Sequence, residues 1–134
     1  MRYLIFPLLA LLLGSCDNDE SQIRLVDGEP ANLWQGASVL LPDGSTELQW
    51  WLNNDSRCPE KAICVWEGTA VIDFTLVGQN GSVDFQLETN PTKLGKSISV
   101  EGFTIELIDV SPYPKMNINI SEEDYEVQIL VTET

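Results

Sequence analysis

The chain has 134 residues with no histidine, and 21 acidic residues against 7 basic ones give it a formal charge of −14. Without imidazole, it cannot build a Ser-His-Asp or Cys-His catalytic site from its own residues, and it lacks the usual metal ligand and pH switch. An excess of negative charge is repelled by phosphate backbones, so no nucleic-acid partner is expected.

The first element is a leader. Arg2 is followed by an apolar run from Tyr3 to Leu13, broken only by Pro7, and then by the small residues Gly14 and Ser15 before Cys16. The run is shorter than the roughly 20 residues a membrane-spanning helix needs, and it has the plan of a secretory signal. Leu13-Gly14-Ser15-Cys16 resembles the lipobox of bacterial lipoproteins. That resemblance implies cleavage before Cys16 and acylation of it, giving a membrane attachment through an N-terminal lipid. One acyl chain holds only marginally, and two or more anchor stably. Without Arg2 the remaining chain carries 6 − 21 = −15, so the lipid rather than electrostatic adhesion must do the anchoring. The predicted organisation is a signal peptide over 1–15, an acylated N-terminus with a polar tether over 16–30, and one β-domain over 31–134. The acidic run Asp17-Asn18-Asp19-Glu20 reads as a solvated tether. It also resembles the signal that sends some lipoproteins to the cell surface. The implied location is the bacterial envelope, with outer membrane or cell surface ranked ahead of inner membrane.

The body reads as all-β, an antiparallel sandwich or small barrel of about seven strands. Trp34 precedes the first strand and is expected to plug an open end of the core. Pro42-Asp43-Gly44 marks a turn. Leu48, Trp50 and Leu52 then alternate with polar positions, which points Trp50 inward and leaves its neighbour Trp51 on the opposite face.

Next comes Asp55-Ser56-Arg57-Cys58-Pro59, followed by Cys64-Val65-Trp66-Glu67-Gly68. With Cys16 acylated, Cys58 and Cys64 are an even pair in an exported chain and read as a disulfide. A two-cysteine zinc site lacks histidine partners, and a redox pair usually has the shorter Cys-x-x-Cys spacing. The block reads as a hairpin tip with Asp55 and Ser56 as turn formers, Arg57 pairing with Asp55 or another carboxylate, and Trp66 covering the disulfide. It resembles the DSRCP…C-x-W-x-G signature of small exported bacterial proteins, a likeness that runs from about Gly36 to the C-terminus and takes in Ser111-Pro112-Tyr113-Pro114 and Asp124-Tyr125. Glu67 departs from the pattern, which more often has a small residue there. The resemblance supplies no reaction to carry over.

Further strands follow. Ile72, Phe74 and Leu76 alternate in one, and Val83, Phe85 and Leu87 in the next, with Asn80-Gly81 as the hairpin signal between them. Glu101-Gly102 turns Val100 back onto the strand of Phe103, Ile105 and Leu107. Pro91 closes one strand, and Pro112 and Pro114 another. Ser121 and Asp124 loosely match a capping box around a single turn. Tyr125, Val127, Ile129 and Val131 form one face of the last strand.

The function expected is a non-enzymatic binding or structural module on the envelope, with an envelope protein or glycan as partner and no cofactor. Trp51, Arg57 and Lys61 are the candidate recognition residues, because an exposed aromatic beside carboxylates can stack on a sugar or grip a partner. A calcium-binding domain is the alternative, drawing on Asp55, Asp109, Glu122, Glu123 and Asp124. A protease-inhibitor-like loop carrying Arg57 and Lys61 is a further alternative. A glycosidase using paired carboxylates comes last, because no pair stands out from the many acids.

Overall fold

The computed structural model describes Gly14, residues 22–91 and residues 94–134; Cys16 and the leader residues around it lie outside the described residues. Among the described residues there are eight strands: β1 (Pro30–Trp34), β2 (Ser38–Leu40), β3 (Glu47–Asp55), β4 (Ala70–Gly78), β5 (Gly81–Glu88), β6 (Ser97–Val100), β7 (Phe103–Ser111) and β8 (Glu126–Glu133). They form two four-stranded sheets, ordered β1-β8-β7-β6 and β2-β3-β4-β5, and every pairing between named strands is antiparallel. The fold is an all-β sandwich.

Period-2 alternation puts one face of each strand into the layer between the sheets. Leu48 and Trp50 of β3, Ile72, Phe74 and Leu76 of β4, and Phe85 and Leu87 of β5 are buried from one side. Phe103, Ile105 and Leu107 of β7 and Val127, Ile129 and Val131 of β8 are buried from the other. Phe74 and Phe85, opposite each other in the β4–β5 ladder, stack at 5.2 Å.

Strict alternation breaks twice. The β3–β4 register shifts between Leu52 and Asn54, and the β7–β8 register shifts between Leu107 and Asp109. A β-bulge adds one residue to one strand and reverses the faces of everything after it. In β7 it brings Val110 inward and leaves Asp109 exposed; in β3 it exposes Asn54 and turns the Asp55 side chain inward. Both bulges lie near the end of the sandwich where β3 leads into the cysteine block.

The turns follow their residue chemistry. In the Pro42–Thr46 turn, the Asp43 carboxylate accepts the backbone N–H groups of Ser45 and Thr46 at 3.0 and 2.9 Å. Glu101 and Gly102 both adopt positive φ, at 49° and 81°, in the β6–β7 hairpin. The β4–β5 loop is Gln79–Asn80, one residue earlier than the Asn-Gly signal places it, and Gly81 already pairs with Gly78.

Three further expectations are corrected. The described part of the span read as a tether, residues 22–30, packs on the sandwich: Leu25 belongs to the core and its N–H donates to the Leu40 carbonyl at 2.8 Å. Gly28 and Asp27 are also tied to β8, through Val131 and Glu133. Trp34 is not a plug: it ends β1 one residue after inward-facing Leu33, so alternation sends it outward, and it is 62% exposed. The turn at Glu122–Asp124 is a short 3-10 helix in which Ser121 makes no side-chain cap, so no capping box forms.

Candidate functional site

The cysteine block continues the β3–β4 hairpin beyond the sheet. Past the Asp55–Ala70 pair, the Ser56 N–H donates to the Thr69 carbonyl at 2.9 Å and the Cys58 N–H to the Glu67 carbonyl at 2.8 Å. The Cys58–Cys64 disulfide closes the tip, with Cα atoms 5.9 Å apart. Gly68 is required by this geometry. Its φ is +69°, and a Cβ there would lie 1.8 Å from the Ser56 carbonyl oxygen. Only glycine tolerates both the left-handed backbone and so close an approach. The hairpin is docked sideways by the Glu60 N–H, which donates to the Pro114 carbonyl at 2.9 Å.

Arg57 sits at the root of this finger, but it is buried, with 6% exposure. Its Nε and Nη2 donate to the two oxygens of Asp55 at 2.8 and 2.9 Å. Its Nη1 donates to the Val110 carbonyl at 2.6 Å and Nη2 also to the Pro112 carbonyl at 3.0 Å. The guanidinium lies 5.0 Å from the centre of the Tyr113 ring. The Tyr125 hydroxyl completes the group by donating to Asp55 at 2.9 Å. The Asp55–Arg57 pair therefore bolts the hairpin of one sheet to the end of β7, through Arg57, and to Tyr125 just before β8, through Asp55. Removing one partner from a buried pair of this kind typically costs about 3–5 kcal/mol, because a desolvated charge is left behind.

The electrostatics follow from these bonds. Burial works against the Asp55 carboxylate, but hydrogen bonds from Arg57 and Tyr125 and the guanidinium charge outweigh it and hold its pKa below the ordinary value. Burial, reinforced by the bond to Asp55, pushes the Tyr125 phenol up to about 12.

Trp51 lies elsewhere. Its partner in the β3–β4 ladder is Asp73, on the outer face of β2-β3-β4-β5, and its side chain is 42% exposed. It borders a shallow depression of about 480 Å³ whose polar side chains are Asp73, Thr75, Asp84 and Gln86. These are already organised. Asp73 accepts from the Asn53 amide at 3.0 Å and from the Gln86 amide at 2.6 Å, and Thr75 donates to Asp84 at 2.7 Å.

Lys61 is exposed at the tip of the hairpin with φ of 64°. It borders a second depression, with Glu60, Lys115, Met116 and Ile118. The three candidate recognition residues do not converge: Trp51 and Lys61 line separate hollows and Arg57 is buried in the clamp. Trp66 does not cover the disulfide; it is 80% exposed. The calcium candidates do not gather either. Asp55 is engaged by Arg57 and Tyr125, Glu122–Asp124 form the exposed 3-10 turn, and no cluster of three or more ligating side chains occurs among the described residues.

Two features escaped the sequence. The polar set beside Trp51 was present as the outward halves of β4 and β5, and aligning those strands through the β4–β5 turn would have found it. The tie between Tyr125 and Asp55 has no local signal, because the two are separated by 70 residues and a bulge.

Compared with known proteins, the chain matches no family model, no curated protein and no solved structure.

Proposed function

We propose that the protein is a non-enzymatic binding module of the bacterial envelope, held by lipid on Cys16, which takes a glycan on the outer face of β3, β4 and β5. The carrying observation is the half-exposed Trp51 ring beside the hydrogen-bonded Asp73, Gln86, Thr75 and Asp84. A sugar ring offers an apolar face of C–H groups and a rim of hydroxyls. An indole supplies the stacking surface, and carboxylates and amides fixed by their neighbours accept and donate to the rim with little ordering cost. The depression is shallow and open, which suits holding a chain in passing better than enclosing a reaction. The inhibitor-like reading gains no support, since Lys61 turns the backbone at φ of 64°, whereas segments that enter a binding cleft by strand addition are extended.

The test is a screen of the lipid-free domain against envelope glycans, followed by titration calorimetry on any binder. Trp51→Ala should weaken binding at least about tenfold, some 1.4 kcal/mol, while leaving the melting temperature unchanged. No glycan bound by the wild type, or equal binding by Trp51→Ala, would refute the assignment.

A further inference from the structure

The three most exposed large apolar side chains among the described residues lie together at one end of the sandwich, with two more beside them. Ile63, Val65 and Trp66 of the hairpin tip are 103%, 87% and 80% exposed, and Met116 and Ile118 on the adjoining segment are 53% and 59% exposed. A loop held by a disulfide, a buried Arg57 and the Glu60–Pro114 hydrogen bond has had every chance to fold these residues inward, yet it presents them outward. Lys61 and Lys115 flank them, exposed and without an ion pair among the described residues. Trp and Lys around a few protruding aliphatics is the composition that settles at the headgroup level of a bilayer.

The path of the chain points the same way. Arg24 bridges Leu40 in parallel, and β2 runs antiparallel to β3. Since β3 runs toward the hairpin tip, the described segment from Leu25 back to Gln22 heads toward that end. Five residues lie between Cys16 and Gln22, six steps of chain with a contour of at most about 22 Å. That matches the length of β3 from Gln49, level with Ser38 beside Gln22, to the root of the hairpin. We infer that the tip formed by Ile63, Val65 and Trp66, with Met116 and Ile118 beside it, rests in the lipid interface of the membrane that holds Cys16. This orientation rests on the lipoprotein reading. It sets the sandwich upright and leaves the Trp51 face along its side, open to ligand.

The test uses residues 16–134, which keep every strand and core residue among the described residues. With the disulfide intact, Cys16 is the sole free thiol, so it can be coupled to a maleimide-headgroup lipid in vesicles of phosphatidylethanolamine and phosphatidylglycerol. Lipids brominated in the upper acyl chain then quench any tryptophan that enters the interface. The wild type should be quenched, Trp66→Phe should lose most of that quenching, and Trp51→Phe should keep it. A charged tip, Val65→Asp, should abolish it with an unchanged melting temperature. Absent quenching, or quenching indifferent to Trp66→Phe and Val65→Asp, would overturn the inference and would fit a tip that docks a protein instead. Because the coupling is chemical, the outcome is independent of whether cells acylate Cys16, which the mass of the native protein reports separately.

Discussion

At the residue scale, the most consequential group is the buried set of Asp55, Arg57 and Tyr125. A depressed carboxylate stabilises the fold at pH values above its unfolded pKa of about 3.9, and that stability is lost as pH falls through the lower folded value. A raised phenol works in the opposite direction. Its contribution is complete below the unfolded pKa of about 10 and is lost as pH rises through the folded value of about 12. Urea unfolding across the pH range should therefore show an acid limb below about pH 4 and an alkaline limb between about pH 10 and 12. Tyr125→Phe should lower stability at neutral pH by about 1.5–3 kcal/mol, the usual worth of a hydrogen bond to a charged group, and flatten the alkaline limb. Parallel alkaline limbs in the two proteins would remove Tyr125 from the account. Arg57 pairs with Asp55, as its place in the block suggests, but it is also buried: of its four side-chain hydrogen bonds two go to Asp55 and two reach the Val110 and Pro112 carbonyls at the end of β7 in the other sheet.

At the scale of elements, the hairpin of β3 and β4 links fold to function. Its root is fixed by the bulge that turns Asp55 inward, and its finger by Gly68 and the disulfide. Gly68→Ala should strain the Ser56–Gly68 approach and lower stability by more than about 1 kcal/mol, since the backbone is left-handed and the neighbour is main chain. Thermal melting checks this, and a melting point equal to the wild type would contradict the close approach. The strands themselves were legible in advance because alternation is strict over most of their length, and each inward set maps onto the core. The bulges were not, because a bulge interrupts the period without any residue that marks it. Trp34, expected ahead of the first strand, is instead the last residue of β1, where inward-facing Leu33 sends it outward.

At the scale of the whole molecule, three surfaces separate three tasks. The outer face around Trp51 is polar and pre-ordered, the buried clamp is structural, and the apolar tip is turned away from the core. The partition explains why the candidate recognition residues scatter. Their chemistry suits recognition, but the sandwich distributes residues close in sequence to opposite faces and ends. The strong negative charge disfavours adhesion to anionic surfaces, so the attachment proposed above would come from acyl chains and a small apolar contact. The proposed function rests on the chain being exported and lipidated. Intact-mass spectrometry of the protein from its native cells addresses that directly. The expected species begins at Cys16, carries the mass of attached acyl chains, and is 2 Da lighter than the reduced form because Cys58 and Cys64 are joined. A species that retains Met1, bears no acyl mass and has both thiols free would contradict the account.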